Sequence, residues 1–220
     1  GAITRITGDA GLTCLVRGGD YDEFILSAGH IKISDAKLRS CGTPTCASFE
    51  LVNNKIIESS LTDYVAAVYT NNAIISNNTI KVSGSVSAYA VFQLYGSGII
   101  FTGNVLDIGG GRALVMNSAS KDAVISGNRV KSGSTTVDAI EMFGDGHKFM
   151  GNSSFGGREC LRVRSTNTDV IANNFRDSTA NNVNITSTAT LCHYDHNTVS
   201  GTGTGLINNG PSTTLGTNRP

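Results

Sequence analysis

Four acidic residues recur at comparable places along the middle of this chain. Asp122, Asp145 and Asp169 fall six, seven and five residues before Asn128, Asn152 and Asn174, and Glu141 lies on the segment that precedes Asp145. If each interval is one turn of a repeating structure, the three aspartates form a column, with Glu141 facing the same side. Adjacent carboxylates repel when both are ionised, so one of a pair is forced to a higher pKa. A raised and an unraised carboxylate together are what glycoside hydrolysis needs as acid and as base or nucleophile. Asp122, Glu141, Asp145 and Asp169 are therefore the candidate catalytic residues, with Lys121, His147 and Lys148 beside them to neutralise the column. The competing reading makes them solvated turn acids, since Asp favours turns and Gly144-Asp-Gly146 is a turn by composition.

A second constellation is aromatic and basic. Where Phe92/Leu94, Ile140/Met142 and Leu161/Val163 point inward along short strands, Gln93, Tyr95, Glu141, Phe143, Arg162 and Arg164 point outward, with Tyr69 on an earlier turn. Aromatic rings offer flat apolar surface to the faces of sugar rings, and guanidinium groups pair with carboxylates. Tyr69, Tyr95, Phe143, Arg162 and Arg164 are the candidate carbohydrate-binding residues. An interface with a neighbouring subunit and a plain outward β-face are the alternatives.

The elements that would hold these residues follow from a repeat. An apolar residue, two spacers and an asparagine recur eight times, at Leu51–Asn54, Ile75–Asn78, Phe101–Asn104, Ile125–Asn128, Phe149–Asn152, Ile171–Asn174, Tyr194–Asn197 and Leu215–Asn218. A period in the low twenties marks a solenoid. The intervening apolar segments are short and rich in β-branched and aromatic residues, which suits strands, and no long helical stripe appears. The position before each asparagine (Asn53, Asn77, Gly103, Gly127, Gly151, Asn173, His196, Thr217) is read as a tight bend at positive φ. The asparagines themselves are expected to turn inward and bond to one another as an amide ladder, since buried polar groups must pair.

This pattern, over residues 31–220, resembles the right-handed parallel β-helix family of pectate lyases, polygalacturonases and bacteriophage tailspikes. The resemblance implies an all-β solenoid of about eight or more coils, with residues 1–30 as an N-terminal cap or first coils. Within the family the chain is most similar to tailspikes. That implies a homotrimer on a virion tail or in the extracellular space, and bacterial surface polysaccharide as partner, bound and in some members cleaved. A shaft or receptor-binding segment without catalysis, and a free-standing polysaccharide lyase or epimerase, are the other functions this scaffold implies. The family's lyase motif contains Trp, and this chain has none. Asn167-Thr-Asp169 matches one polygalacturonase motif in letters, without its companions.

Composition narrows the partners. Formal net charge is zero and no basic run occurs, which argues against nucleic acid. No apolar stretch approaches the roughly 18 residues of a membrane span. Gly109-Gly-Gly-Arg112 is glycine-rich but opens no helix, so it is not read as a phosphate cradle. Of five cysteines, only Cys41 and Cys46 are close enough for a local bridge; mostly reduced thiols are expected, with Cys160 and Cys192 as small core residues. No Cys/His spacing matches a zinc site, and neither metal nor cofactor is expected. The sequence ends two residues after the eighth asparagine without a capping segment, from which continuation or cover by partner subunits is expected.

Overall fold

The computed structural model describes residues 3–7, 13–27, 29–41, 46–58, 64–86 and 89–218. All regular structure among them is β, arranged in three sheets with every strand pairing parallel. One coil illustrates the path. Phe92–Leu94 lies in the third sheet, Ile100–Thr102 in the second and Val105–Gly110 in the first, and Leu114–Met116 then returns to the third beside Phe92–Leu94. The chain is a parallel β-helix. Within residues 1–30, the strands Ile3–Thr7, Thr13–Arg17 and Asp20–Ser27 already belong to the first and second sheets.

The first two sheets have ten strands each, but the third has seven, beginning at Ala66–Val68. About seven turns are therefore three-sided, and eight or more is a slight overcount. The physical reason is simple: the eight asparagines mark corners, and eight stacked corners enclose seven intervals.

Alternation along each strand separates core from surface. In Thr79–Ser85, Ile80 and Val82 are buried while Thr79 and Lys81 are exposed, the period-two pattern of a strand with one wet face. Inward residues of neighbouring coils stack in register, as with Phe101 over Ile75 and under Ile125, and together they form one continuous apolar core.

The amide ladder runs along the corner between the second and first sheets. From Asn78 onward each ladder Oδ1 accepts both the backbone N–H and the Nδ2–H of the asparagine one coil earlier, and Asn54 Oδ1 accepts the Ala36 N–H. Asn104 Nδ2, for example, lies 3.1 Å from Asn128 Oδ1, and Asn104 N lies 2.9 Å from it. The remaining amide proton goes to a backbone carbonyl, so the buried amides are fully paired.

One rung differs from expectation. Asn152 donates to Asn173, and Asn173 to Asn197, so the sixth member is Asn173 and not Asn174. The apolar lead in this coil is Val170, stacked on Phe149, and the bend residue is Ala172 at φ 58°. Asn174 instead opens the next strand, Asn174–Arg176. The other expected bends at Asn53, Asn77, Gly103, Gly127, Gly151 and His196 do adopt positive φ; Thr217 does not.

All five cysteines are free, Cys41 and Cys46 included; the connection 42–45 lies outside the described residues, as does Leu12. Cys160 and Cys192 are core residues, and burial pushes the Cys41 and Cys160 thiols up to about 12, which leaves them inert.

Candidate functional site

The third sheet breaks the alternation. Its strands Ala66–Val68, Phe92–Leu94, Leu114–Met116 and Ile140–Met142 are buried at every position, outward ones included. Inward residues such as Leu114 and Met142 fill the core. The outward row runs Ala67, Gln93, Val115, Glu141, Arg162 and Asn184 in register. Side chains projecting from either end of the strands roof this row.

On the side following the strands, Tyr69, Tyr95, Phe143 and Arg164 occupy equivalent places: each of the last three donates its backbone N–H to the preceding coil's strand. Tyr69 and Tyr95 stack with ring centroids 4.1 Å apart and planes 11° off parallel. Tyr95 donates its hydroxyl to Gln93 Oε1 at 2.8 Å, which fixes the ring. Arg164 lies over the Phe143 ring. All five expected carbohydrate-binding residues are thus gathered on one face.

Sequence reasoning missed the opposite flank. Tyr89, Arg112, Asp138 and Arg158 come from the turns that lead into the strands, where no periodic apolar marker fixes their phase, and Glu159 opens the strand Glu159–Val163. Tyr89 donates its hydroxyl to Glu141 Oε2 at 3.2 Å, and Arg112 covers the Tyr89 ring at 4.4 Å while its Nη2 reaches the same Oε2 at 3.1 Å. Arg164 Nε lies 2.9 Å from Glu141 Oε1, in an ionic contact whose N–H is not aimed at the oxygen. Asp138, fully buried, takes a two-pronged contact from Arg158 at 2.9 and 3.0 Å and a longer one from Arg162. Glu159 accepts from Asn181 and Asn184. Four arginines thus neutralise three buried carboxylates, and pairing of this kind is what lets carboxylates leave water. Burial raises the Tyr89 and Tyr95 phenols, so both stay protonated and act as donors.

Between the two flanks lies an open concavity of about 450 Å³, floored by Gln93 and Val115 and walled by Tyr89, Tyr95 and Phe143. Tyr69 and Tyr89 remain half exposed beside it.

The four candidate acids do not share one row, although Asp122 and Asp145 adjoin on neighbouring coils, the Asp122 N–H donating to the Asp145 carbonyl at 2.9 Å. Asp145 pairs with Lys121 and Thr166 on adjacent coils, Asp169 with Lys148 and His193, and Glu141 lies on the third sheet. The turn keeps strict register, with Lys121, Asp145 and Thr166 each seven residues before the ladder asparagines Asn128, Asn152 and Asn173; Asp122 and Asp169 fall off that row because they lie six and four residues before theirs. Asp122 takes the bend position, at φ 52°, level with Gly146 (φ 71°) and Asn167 (φ 47°), and its carboxylate fills the space above Gly146. Asp145 accepts from Thr166 Oγ1 at 2.6 Å and Asn167 Nδ2 at 2.7 Å, which holds its carboxyl below the usual range. His147 does not neutralise the acids. It points inward and is fully buried, with Nε2 donating to the Phe143 carbonyl at 2.7 Å and Nδ1 accepting the Ala123 N–H at 3.2 Å. Among the described residues, no group of three or more His, Cys, Asp or Glu side chains could hold a metal ion.

No protein-family model and no curated protein matches the chain. Among solved structures it is similar to the periplasmic alginate epimerase AlgG, at 11% identity, over 94% of this chain and 76% of that one, with a TM-score of 0.48. The structural neighbours are pectate-lyase-like β-helix proteins. The Azotobacter vinelandii mannuronan C-5 epimerase AlgE6 A-module is similar at 11% identity over 98% and 82% of the two chains, with a TM-score of 0.48. The Dettilon tailspike protein is similar at 12% identity over 93% of this chain and 61% of that one, with a TM-score of 0.45. What is shared is the parallel β-solenoid.

Proposed function

We propose that the outward face of the third sheet binds an acidic polysaccharide of a bacterial surface. The observation that carries the reading is the roofed row itself: a fixed tyrosine stack beside an open concavity, with Arg112 and Arg164 packed on the Tyr89 and Phe143 rings that wall it and Arg158 and Arg162 further along the row. Stacked rings give flat apolar surface, Gln93, Asn117 and Ser118 offer polar atoms at floor and rim, and the arginines exceed the carboxylates they pair with by one. A chain of sugars carrying carboxylates would meet all three. In this reading the domain works outside a cell or on a virion tail, as a homotrimer, in the manner of a tailspike.

Recognition without cleavage is the function this geometry supports best. Hydrolysis needs two carboxylates flanking one bond, one of them free to give its proton. Glu141 is locked between Arg112, Arg164 and Tyr89, Asp145 is held ionised by two donors, and Asp122 serves a bend. The test is a panel of acidic and neutral bacterial polysaccharides, scored for retention of the protein and for release of reducing ends. Retention by acidic polymers without new ends is expected. Equal retention by neutral polymers, or none by any, would overturn the proposal.

A further inference from the structure

The first sheet carries a cluster that the third-sheet face does not use. Lys131, Phe155 and Arg176 are stacked in register on three consecutive coils, and Arg129 shares Lys131's strand two residues earlier, hence on the same face. Two guanidinium groups pack on the single Phe155 ring, Arg176 at 4.3 Å and Arg129 at 5.6 Å from its centroid. Gly156, Ser132 and Asp177 complete a concavity of about 340 Å³ with them.

Charge at this place is not balanced as it is on the third sheet. Arg129 forms no ion pair among the described residues. Among the described residues Arg176 has only its chain neighbour Asp177, at 3.8 Å, and Lys131 only Asp107, at 3.4 Å, both between exposed groups. Exposed pairs at such distances are weak and are easily exchanged for a ligand. Both guanidiniums lie within cation–π range of Phe155, and among the described residues their N–H groups have no side-chain partner but Asp177 beside Arg176. Guanidiniums so placed are able to grip a carboxylate by two parallel bonds. The ring also fixes two otherwise mobile side chains in advance, which lowers the ordering cost of binding.

We propose that this first-sheet cluster is a second binding site, separate from the third-sheet face, and that it takes a carboxylate-bearing segment of an acidic oligosaccharide. Arg129 and Arg176 hold the carboxylates, and Lys131 adds a point charge on the same row. A nucleic-acid backbone is disfavoured, because such binding draws on an extended basic surface and this chain has zero net charge.

The experiment is residue-resolved protection. The folded protein is treated with an arginine-selective dicarbonyl reagent, with and without a hexamer of galacturonic acid, and modification is read at each arginine by mass spectrometry. Protection of Arg129 and Arg176, absent with the carboxyl-reduced neutral hexamer, is the expected result. In parallel, Arg129→Ala and Arg176→Ala, both exposed positions, are expected to weaken hexamer binding at this site about tenfold each. Protection confined to Arg112, Arg162 and Arg164 would overturn this site while leaving the third-sheet proposal standing. The reverse pattern would do the opposite. Equal protection by the neutral hexamer would overturn the carboxylate reading, and stronger protection by a single-stranded oligonucleotide would overturn the glycan assignment.

Discussion

Tyr89 and Glu141, 52 residues apart in sequence, meet across two coils, the phenol donating to Oε2 at 3.2 Å. Arg112 contacts both, through the ring of one and the carboxylate of the other. If this triad belongs to a binding surface, Glu141 is a brake on anion affinity, because it occupies two guanidiniums. Glu141→Gln should then tighten binding of an acidic oligosaccharide several-fold. It should also lower stability by about 2 kcal/mol, less than for a fully buried pair because Arg164 is partly exposed. Calorimetric titration and thermal unfolding read the two effects; lost affinity at intact fold would contradict the assignment.

His147 makes stability depend on pH. Burial pushes its pKa below 6.5 despite the opposing pull of Asp122 and Asp145, and its Nδ1 is already occupied as an acceptor from Ala123. The unfolded chain takes up a proton near pH 6.5 that the folded chain refuses, so the contribution is complete above that pH. It declines as pH falls through it, at no more than about 1.4 kcal/mol per pH unit. His147→Gln should lose this slope. Thermal midpoints of the two proteins should therefore converge from pH 7.5 to pH 5, and a constant gap would refute the buried neutral imidazole.

The ladder assignment separates two adjacent residues of the same type. Asn173→Ala leaves the backbone N–H and one amide proton of Asn152 without their acceptor and removes the donor to the Phe149 carbonyl, while Asn197 Oδ1 keeps the backbone N–H of residue 173, at a cost of about 2 kcal/mol. Asn174→Ala removes a side-chain oxygen that has no partner and should cost under about 0.5 kcal/mol. Denaturant unfolding of both variants decides between them.

Asp122 and Gly146 form another coupled pair. Gly146→Ala places a Cβ where the Asp122 carboxylate lies and forces a side chain onto φ 71°, at a cost of about 1–2 kcal/mol. Adding Asp122→Ala should recover the steric part and not the backbone part, and a double-mutant cycle measures the difference.

These cases also show how far the sequence could be read. The solenoid was legible because the asparagine corner recurs and each rung repeats the same hydrogen bonds. Its phase was lost only where two asparagines adjoin and Ala172 takes a bend usually left to Gly or Asn. The outward aromatic and basic face was legible because Tyr69, Tyr95, Phe143, Arg162 and Arg164 keep fixed offsets from inward apolar residues. Tyr89, Arg112 and Asp138 were not, because turn lengths vary and nothing periodic marks which way their side chains fold. The three aspartates do not share a row because they differ in offset within a turn of constant length, and counting Asp169 from Asn174 when the ladder member is Asn173 hid one residue of that difference.

Under the proposed function, the tyrosine stack and the arginines of the third sheet bind an acidic polysaccharide. The most direct measurement is the affinity of one acidic oligosaccharide for the wild-type protein and for a variant combining Tyr95→Ala with Arg164→Ala, each verified as folded. Losing a stacking ring and a guanidinium should weaken binding on the order of a hundredfold. An unchanged affinity in a folded variant would contradict the account and move the binding face elsewhere on the helix.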